Sequence, residues 1–582
     1  MKPGVLRKFR ELEASQSLKV EGYWLPKDIR KNLPFQNLEF ESQSYSAGKP
    51  CQPEDDGAVT AFWPRFNQEE WQELLVQLRN NRRRVPTGLE FWDRFRAALQ
   101  SCDLQLADAS NPLRRRALDA LPGYTGFSEP MVRSVLGAME MMSFEAFPAV
   151  FQSSPTLAAA HRWQPLNGLQ GKIRFHPGNL AIKCLSHLHF LPGRPIFHDP
   201  VMPELVVGFG AGNVPGTALM IAMLSLANTL TGSTVPVALV RNSRQEPIFT
   251  PIVLEAIERA DPDLVCSTAV LVWDYEDARL QETLLSQADL VVVAASDATI
   301  DQVEKQVKAY TCKPHVRFHP HGHKVSFAAI GREMLQPGLV DPSSGLEVLD
   351  IVALLAALDS VYWDQFGCLS ARIHFVENGR DGANSSLDYA RRLEMQLRSI
   401  AKYLPRGSWP RQTIHERFDR YRQLEITGKV RVFSRYEDDF LLVHDEREIS
   451  PPAFINQVNE CQGRVTIVRP VVDLEEIHQR YLRWIPSSQL QSLSVAVGEA
   501  GKSVNPRFLR FADACGKRGV TAIRTVGRGA FPQLAYSWDG LIPLDMVSSR
   551  MDGNFTTIEF DRPYDQILET FELMQTRAAM NR

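Results

Sequence analysis

The chain has 582 residues, of which 44% are hydrophobic, and this length and composition predict a large buried core spread over two or more domains. Its 65 basic and 68 acidic residues give a net charge of −3, which provides no electrostatic basis for binding nucleic acid or an anionic membrane. The eight cysteines form no CxxC pair, which argues against a zinc site or a disulfide framework and favours a reducing, cytoplasmic setting.

The amino-terminal part of the chain is predicted to contain a polar extension followed by a helical region. Residues 1–60 are polar with weak periodicity, and no apolar run of about 7–15 residues follows the first basic residues, so no secretory signal is expected. Apolar residues at helical spacing then predict three helices, at Gln68–Asn80, Gly88–Gln100 and Glu129–Met142.

Between residues 204 and 330, short β-rich runs alternate with helical stretches, which is typical of βαβ units and a parallel sheet. The predicted strands are Leu205–Phe209, Val235–Arg241, Leu264–Trp273, Leu290–Ala295, His315–His319 and Val325–Ile330. The predicted helices are Thr217–Leu230, Pro251–Arg259, Glu276–Gln287 and Thr299–Lys308. We therefore interpret residues 61–330 as a helical front end and a Rossmann-type nucleotide-binding domain.

A second α/β domain is predicted over residues 331–545, followed by a carboxy-terminal segment over 546–582. Its predicted helices and strands are Leu349–Ser360, Leu387–Tyr403, Val430–Ser434, Phe440–His444, Val465–Val468 and Val520–Thr525. The most apolar stretches of the chain, Ala218–Leu226 and Val348–Leu358, are shorter than the ~20 residues that a membrane-spanning helix needs, so no membrane span is expected.

A glycine-rich loop follows the first predicted strand of the nucleotide-binding domain, in the sequence LVVGFGAGNVPG from Leu205 to Gly216. A strand, glycines and a helix in this order place backbone N–H groups where a phosphate or carbonyl oxygen can bind. Counting from Gly208, Gly210 fits the dinucleotide fingerprint, but the sixth position is Asn213 instead of glycine. A tight strand–helix turn that binds no ligand is the alternative.

Two cations at the end of the second strand bear on the choice of nucleotide. Arg241 and Arg244 stand there, and the acidic residue that usually binds the adenosine ribose is missing. A cation beside the ribose favours a 2′-phosphate, and hence NADPH over NADH. The alternative is a pair of solvated surface arginines.

One cysteine has turn-like surroundings that suit a nucleophile. Cys368 follows Gly367 and lies just past an apolar helix, and a loop at a helix end can provide the exposure and lowered pKa that such a thiolate needs. A small buried hydrophobic residue is the alternative, and Cys312 is the rival position.

Three further patterns carry weaker hypotheses. His319, His321 and His323 alternate as on one strand face, but the intervening Pro320 and Gly322 favour a turn over a metal site, and no metal is expected. The basic run Arg82–Arg84 is either a solvated helix end or a binding surface for an acidic partner protein. The pattern Gly-x-Ser-x-Gly is absent, which argues against a serine hydrolase.

The loop and the cysteine together resemble the LuxC-type acyl-CoA reductases of the aldehyde dehydrogenase superfamily. The resemblance rests on GAGNVPG at 210–216, GCLS at 367–370, KVSF at 324–327 and SWDG at 537–540, and it extends from about residue 110 to 550. It implies an aldehyde-dehydrogenase-like α/β fold, with a Rossmann-type cofactor domain, an α/β catalytic domain and a helical amino-terminal region.

The resemblance also implies roles for individual residues. Cys368 would be the nucleophile that forms an acyl-enzyme, and the Asn213 amide, with the Cys368 backbone N–H, would stabilise the oxyanion. The residues implied in cofactor binding are Gly208, Gly210, Gly212, Pro215, Gly216, Arg241, Arg244 and Ser296. Of these, Arg241 matches a ribose-contacting lysine, and Ser296 lies near the loop under the pyrophosphate.

The direction of the reaction follows from a missing base. Aldehyde-oxidising members of the superfamily hydrolyse the acyl-enzyme with a Glu, but no Glu occurs here between Glu304 and Glu333. We therefore expect NADPH-dependent reduction of an acyl thioester to an aldehyde, with NADH as the alternative reductant. The rival interpretations are a CoA-acylating aldehyde dehydrogenase acting oxidatively, an acyltransferase that uses no hydride, and a non-catalytic nucleotide-binding scaffold.

The implied partners are an acyl-CoA or an acyl-carrier protein, and an acyl-transfer protein that delivers the acyl group is an open possibility. Members of the superfamily commonly assemble through a strand-rich arm, so a homo-oligomer is expected. Lys172–Leu191 is the candidate for that arm.

Overall fold

A computed structural model describes residues 5–8, 17–32, 38–136, 164–165, 172–177, 203–227, 235–313, 316–379, 384–497, 506–529, 538–540 and 555–560. The chain divides into two compact units. The first unit comprises Met1–Phe144, Ile196–His323 and Pro543–Asp552. The second unit comprises Glu145–Pro195, Lys324–Ile542 and Gly553–Arg582.

The strands of the described residues form three sheets. In chain order they are β1 (Val5–Lys8), β2 (Leu18–Glu21), β3 (Glu39–Ser46), β4 (Lys49–Cys51), β5 (Val59–Arg65), β6 (Gln164–Pro165), β7 (Lys172–Pro177), β8 (Leu205–Phe209), β9 (Val237–Arg241), β10 (Thr268–Leu271), β11 (Leu290–Ala294), β12 (Arg317–His321), β13 (Val325–Ile330), β14 (Ala371–Glu377), β15 (Val430–Val432), β16 (Leu441–Asp445), β17 (Val465–Val471), β18 (Leu490–Ala496), β19 (Ala522–Thr525) and β20 (Phe555–Phe560).

The α-helices of the described residues pack on these sheets. In chain order they are α1 (Lys27–Asn32), α2 (Gln68–Asn81), α3 (Gly88–Ala107), α4 (Pro112–Thr125), α5 (Glu129–Val135), α6 (Thr217–Ala227), α7 (Phe249–Ala260), α8 (Pro262–Val265), α9 (Ala278–Leu285), α10 (Asp297–Tyr310), α11 (Val348–Val361), α12 (Ser386–Tyr403), α13 (Gln412–Leu424), α14 (Pro451–Glu460), α15 (Leu474–Glu476) and α16 (Pro506–Arg518). None of these helices has both the length and the apolar character needed to cross a membrane.

A five-stranded sheet that the sequence does not predict occupies the amino-terminal extension. Its order is β1-β3-β5-β2, and β4 pairs with β3 at the side. The run VTAFWPR in β5 is buried over six of its seven positions, so this sheet has a core of its own. Trp24 also bonds both ways with Val270 of β10, through backbone distances of 2.7 and 2.9 Å. The extension is thus an integral part of the first unit.

The helical region after this sheet is confirmed: α2 nearly matches its predicted bounds, whereas α3 continues beyond the predicted end, Gln100, to Ala107. The third predicted helix ends at Val135, and residues 137–142 lie outside the described residues. An additional helix, α4, begins at Pro112 because the Asn111 side chain accepts from the Leu113 N–H and caps it. It ends at Gly126, which is left-handed with φ 82°.

The predicted parallel sheet of the first unit is confirmed, with the order β10-β9-β8-β11-β12. Its strands are continuous apolar runs buried on both faces, as parallel strands between helices require. The order reverses between β8 and β11, so the strands' carboxyl ends open a crevice there. Such a reversal is where open α/β sheets bind nucleotides.

Two of the predicted strands have the wrong bounds. The run Leu264–Trp273 is not one strand, because the Asp261 side chain caps a short helix, α8, and only Thr268–Leu271 is extended. His315–His319 is displaced, since the strand runs from Arg317 to His321 and includes the proline that was expected to break it. The edge position of β12 explains this tolerance, because an edge strand can accommodate a missing N–H.

The second unit contains a ten-stranded sheet with the order β15-β16-β17-β14-β13-β18-β19-β20-β7-β6. Its central strand is Val325–Ile330, so this strand belongs to the second sheet and does not extend the first one. An aromatic cluster packs beneath it, with Phe375 at 4.9 Å from Tyr481 and Phe454 at 5.1 Å from Tyr481 between ring centroids.

The predicted arm begins as a strand of this sheet. Lys172–Pro177 pairs antiparallel with Phe555–Phe560 over its whole length. The remainder of the candidate arm, residues 178–191, lies outside the described residues. Its role in assembly stays a prediction.

Candidate active site

The glycine loop after β8 lies at the carboxyl edge of the first sheet, beside its reversal point. Gly208 lies in the strand itself, where an added Cβ would stand 2.5 Å from Ile221 Cγ2 of α6. A Cβ on Gly210 would meet the backbone N and Cα of Ala218 at 2.9 Å. These two glycines are therefore required by close packing of the strand and loop on helix α6.

The second half of the loop turns against the segment that follows β9. A Cβ on Gly212 would clash with Ser243, and Gly216 has a left-handed φ of 96° that favours glycine. Pro215 is half-buried beside it, whereas Asn213 is exposed at the tip of the loop. The loop thus presents the asparagine amide away from the core of the first unit.

Arg241 lies at the carboxyl end of β9, as predicted, and is half-buried. Its Nε donates to the Trp273 carbonyl oxygen at 2.7 Å, and its guanidinium lies 5.2 Å from the centroid of the Tyr275 ring. Burial lowers the pKa of Arg241 to about 10, with the neighbouring Arg244 acting in the same direction. The side chain remains a cation at neutral pH.

Arg244 is not a solvated surface arginine, because the amino-terminal sheet supplies its counter-charge. Its Nη2 lies 2.9 Å from Glu41 Oε1 and 3.1 Å from Glu41 Oε2, and its Nη1 lies 4.0 Å from Asp274. Glu41 is buried and also accepts from Trp63 Nε1 at 3.3 Å. The positive charge of Arg244, which the sequence analysis assigns to a 2′-phosphate, is therefore already matched by the carboxylate of Glu41.

Ser296 lies on the other side of the reversal point, directly after β11. It caps helix α10, with its Oγ accepting from the Thr299 N–H at 3.3 Å, and it is exposed. The amino end of a 14-residue helix is a favourable place for a phosphate. The first sheet thus brings together the glycine loop, Arg241 and Ser296 at one edge.

In the second unit, Cys368 lies in the loop between a 3-10 turn and the amino end of β14. The turn contains three consecutive residues in the left-handed region, Trp363, Asp364 and Gln365, with φ values of 52°, 49° and 65°. Left-handed backbone costs L-residues roughly 1–2 kcal/mol each, so surrounding contacts must hold it.

A buried ion pair supplies part of that constraint. Arg464 Nε donates to Asp364 Oδ1 at 2.7 Å, and both side chains are almost fully buried. The other carboxylate oxygen of Asp364 accepts from the Gly407 N–H at 3.0 Å, and its carbonyl oxygen accepts from the Gly463 N–H at 2.9 Å. The Asp364 side chain and backbone thus connect the turn to two other segments.

The Gln365 side chain completes the constraint. Its Nε2 donates to the Ala371 carbonyl oxygen at 2.9 Å, and its Oε1 accepts from the Val465 N–H at 2.8 Å. Ala371 opens β14 and Val465 opens the neighbouring strand β17. The Gln365 amide therefore connects the turn before Cys368 to the first residues of two strands of the sheet.

The Cys368 backbone is fixed from the opposite side by two serines. Ser326 Oγ donates to the Cys368 carbonyl oxygen at 2.7 Å, and Ser492 Oγ donates to Ser326 Oγ at 2.8 Å. These serines belong to β13 and β18, at the centre of the second sheet. The nucleophile candidate is therefore anchored to the most buried strands of its unit.

The thiol of Cys368 is half-buried, and its resting state is the protonated one. Burial raises its pKa to about 11, and the negative charge of Asp539 acts in the same direction. A hydrogen bond from Gln491 and the positive charge of Arg372 oppose this rise. The sequence-based expectation of a lowered pKa at a helix end is therefore wrong for the protein without substrate, because desolvation dominates.

Gln491 and Asp539 are site residues that sequence reasoning missed. Gln491 Nε2 donates to Asp539 Oδ1 at 2.7 Å, which orients the amide beside the sulfur of Cys368. Asp539 adopts a left-handed φ of 50° in the segment Trp538–Gly540. The SWDG signature was the available signal, but only the structure shows that its carboxylate lies near the cysteine.

The remaining candidates do not form a metal site. His319 and His321 are buried on β12, and His323 is exposed after it. Among the described residues, no group of three His, Cys, Asp or Glu side chains is arranged to hold a metal ion. Cys312 is exposed after α10 in the first unit.

Comparison with known proteins identifies the family. The sequence profile described as acyl-CoA reductase (LuxC) matches residues 188–550 of the 582-residue chain. This chain belongs to the LuxC acyl-CoA reductase family. The predicted family is confirmed, and with it the prediction of an aldehyde-forming oxidoreductase. No curated protein shows a significant match to the chain.

Solved structures show the fold of this LuxC-family chain. A 1-pyrroline-5-carboxylate dehydrogenase from Thermus, with bound NAD, superposes with a TM-score of 0.50 at 11% identity, covering 95% of this chain and 94% of that one. A Delta-pyrroline-5-carboxylate dehydrogenase from Mycobacterium tuberculosis gives a TM-score of 0.49 at 11% identity, covering 87% and 85%. An aldehyde dehydrogenase from Physcomitrella patens gives 0.49 at 10% identity, covering 90% and 98%. The aldehyde-dehydrogenase-like fold is thereby confirmed.

Proposed function

We propose that this protein reduces an acyl thioester to an aldehyde through an acyl-enzyme on Cys368, with NADPH as the reductant. The observation that carries the proposal is the setting of Cys368. A partly exposed thiol follows a left-handed turn that a buried ion pair, a bidentate amide and a serine hold in one conformation. Strained backbone held this firmly clusters at catalytic sites.

Cys368 carries out the first step. Its sulfur attacks the carbonyl carbon of the thioester, the bond to the leaving sulfur breaks, and the thiol proton ends on the expelled CoA or carrier thiol. The Gln491 amide and the positive charge of Arg372 support the thiolate as it forms. The side-chain amide of Asn213 stabilises the oxyanion of the tetrahedral intermediate, as preorganised N–H donors do in acyl transfer.

The carboxyl edge of the first sheet fits a dinucleotide. Glycines pack the β8 loop closely on α6, Ser296 begins a long helix, and Arg241 provides a cation, all beside the reversal point. When bound, the reduced nicotinamide supplies the hydride that converts the Cys368 thioester to the aldehyde. Gly208, Gly210, Gly212, Pro215 and Gly216 shape the binding loop.

The preference for NADPH rests on Arg241. Arg241 stays charged and is half-buried at the end of β9, whereas the charge of Arg244 is matched by Glu41. NADH is the alternative reductant. Because no Glu stands where oxidising members carry their hydrolytic base, we expect slow hydrolysis of the acyl-enzyme, so that transfer to or from a thiol is favoured.

The acyl donor is an acyl-CoA or an acyl-carrier protein, and an acyl-transfer protein is a second route for delivery. Arg82–Arg84 is a candidate contact for an acidic carrier, although Arg84 is engaged with Asp28 and Asp263 at 2.7 and 2.9 Å. We also propose that the protein forms a homo-oligomer and acts in the cytoplasm.

A steady-state assay tests the proposed function. The protein is incubated with a series of acyl-CoA thioesters and NADPH, and loss of NADPH absorbance is compared with aldehyde released. We expect equal amounts of both, and no aldehyde from Cys368→Ala. Cys312→Ala is the matched control, because it removes an exposed thiol outside the second unit. Aldehyde formation by Cys368→Ala would overturn the mechanism.

A further inference from the structure

Glu246 is a buried carboxylate to which the proposed reaction assigns no role. It lies in the segment between β9 and α7 and is 2% exposed. Its Oε1 accepts from the Ile248 N–H at 3.0 Å and from the Phe249 N–H at 2.8 Å, at the amino end of α7. The carboxylate also accepts a backbone hydrogen bond from Gly216, the last residue of the glycine loop.

The charge of Glu246 is compensated by backbone N–H donors, and no basic side chain of the described residues forms an ion pair with it. Burial raises the pKa of this carboxyl group to about 7, and the three N–H donors act in the opposite direction. Burying an acid without a cation is costly, and a neutral cap would serve α7 with less desolvation. The additional bond to Gly216 is what distinguishes Glu246 from a simple helix cap.

The glycine loop is held at two points, one on each side of Asn213. At its start, the Gly210 N–H donates to the Arg241 carbonyl oxygen at 2.8 Å. At its end, the Gly216 N–H donates to Glu246. Both acceptors belong to β9 and the turn after it.

The turn after β9 is itself held by hydrogen bonds and close packing. Asn242 Nδ2 donates to the Pro247 carbonyl oxygen at 2.8 Å, and Ser243 forms an antiparallel bridge with Glu246. Gly212 packs so closely on Ser243 and Gln245 that a methyl group would not fit between them. The turn is thus the base against which the tip of the loop is positioned.

We propose that Glu246 is a positioning residue for Asn213, which it keeps in its catalytic orientation by bonding Gly216 and the amino end of α7 simultaneously. The proposal rests on the proposed function, in which the Asn213 amide stabilises the oxyanion. Such donors act only within about 3 Å of the developing charge, so small displacements of the loop reduce the rate.

The chemistry of the carboxylate explains why an amide would not replace it. An ionised carboxylate offers about four lone-pair sites, whereas the single oxygen of Gln offers two. Three N–H donors therefore satisfy a carboxylate and exceed the capacity of the amide. Glu246→Gln keeps the shape of the side chain and leaves at least one donor unpaired.

A double-mutant cycle tests the proposal. We measure kcat for acyl-CoA reduction, the Kd for NADPH and the Tm for the wild type, Glu246→Gln, Asn213→Ala and the double variant. Glu246→Gln is expected to lower kcat about 10-fold, the scale of one hydrogen bond to a charged group, and to leave the Kd for NADPH within about twofold. In the Asn213→Ala background it should have no further effect on kcat.

Glu258→Gln is the matched control, because Glu258 lies on the same helix and accepts a backbone N–H from Lys27 at 2.7 Å. We expect its kcat to equal that of the wild type. If Glu246→Gln does not fold, Glu246→Asp enters the same cycle with the charge retained.

The outcomes separate the two claims. A Glu246 variant that lowers kcat by the same factor with and without Asn213 would show an effect independent of that residue and would overturn the inference alone. An unchanged kcat in Glu246→Gln would do the same. An unchanged kcat in Asn213→Ala would contradict the oxyanion role in the proposed function, and the inference would fall with it.

Discussion

At the scale of single residues, the surroundings of Cys368 favour the thiol over the thiolate in the protein without substrate. Burial and Asp539 keep the Cys368 thiol protonated, while Gln491 and Arg372 act against them. A protonated thiol is protected from adventitious oxidation and alkylation, because the thiolate is the reactive form. Reaction therefore depends on groups that stabilise the thiolate when the acyl thioester is present.

The alkylation of Cys368 should follow this electrostatic arrangement. Because the thiol pKa is raised, the rate of modification by iodoacetamide should increase with pH up to about 11. Asp539→Asn removes the negative charge that raises the pKa of the Cys368 thiol. It should lower the midpoint pH of the alkylation rate by about 1, which increases the rate at pH 8 about tenfold. The measurement is peptide mass spectrometry of Cys368 alkylation across the pH range.

Asp419→Asn is the control for this series, since it removes the same charge from an exposed position on α13. It should leave the midpoint unchanged. A midpoint near the ordinary cysteine value in the wild type would contradict the description of the site.

At the scale of elements, the loop that carries Cys368 depends on contacts from distant parts of the chain. Asp364 is one hundred positions from Arg464 in the sequence, yet their ion pair fixes the left-handed turn. No local pattern near residue 364 predicts φ values above zero at three successive non-glycine residues. The sequence does predict the helix before the turn, because its apolar periodicity is local, but the strand after it, β14, is not among the predicted strands.

The stability of this turn can be measured through Arg464→Met. The substitution removes the guanidinium and leaves the Asp364 carboxylate buried without its counter-charge, which should lower the free energy of unfolding by about 3–5 kcal/mol. Urea denaturation followed by tryptophan fluorescence gives this value. Slower acylation of Cys368 in the folded variant would connect the turn to the reaction.

Arg422→Met tests whether charge removal alone has this effect. Arg422 pairs with Glu425 at 2.8 Å on the surface, so its loss should cost less than about 1 kcal/mol. Equal losses for the two variants would show that the ion pair at Asp364 does not constrain the turn.

At the scale of the whole molecule, the first 60 residues have a role that the sequence did not reveal. Their strands pair with one another across loops, so the pattern of any single strand is too short to predict the sheet. The structure shows that this sheet places Glu41 against Arg244. The loop after β9 is thereby supported by a segment outside the 188–550 match to the family.

The site itself could be predicted only in part. Cys368, Asn213 and the glycines stand out because a short motif contains each of them, and a known family links them. Gln491 and Asp539 escaped prediction because their role depends on proximity to Cys368 across the fold. The salt bridge between Arg244 and Glu41 was not predicted for the same reason.

Cofactor choice should respond to this pairing. Glu41→Gln removes the negative charge beside Arg244 and frees a cation for the 2′-phosphate, so the ratio of kcat/KM for NADPH to that for NADH should rise about 10-fold. Glu39→Gln, at an exposed position on the same strand, should leave the ratio unchanged. A ratio unaffected by Glu41→Gln would place the adenosine ribose away from Arg244.

The most direct test of the account is the detection of the acyl-enzyme itself. The protein is mixed with one equivalent of acyl-CoA without reductant, and the intact mass and the peptide containing Cys368 are analysed. We predict a gain of one acyl group on Cys368, loss of that group on addition of NADPH, and release of one equivalent of aldehyde. Aldehyde formation with no acyl group on Cys368, or with the group on another residue, would contradict the account.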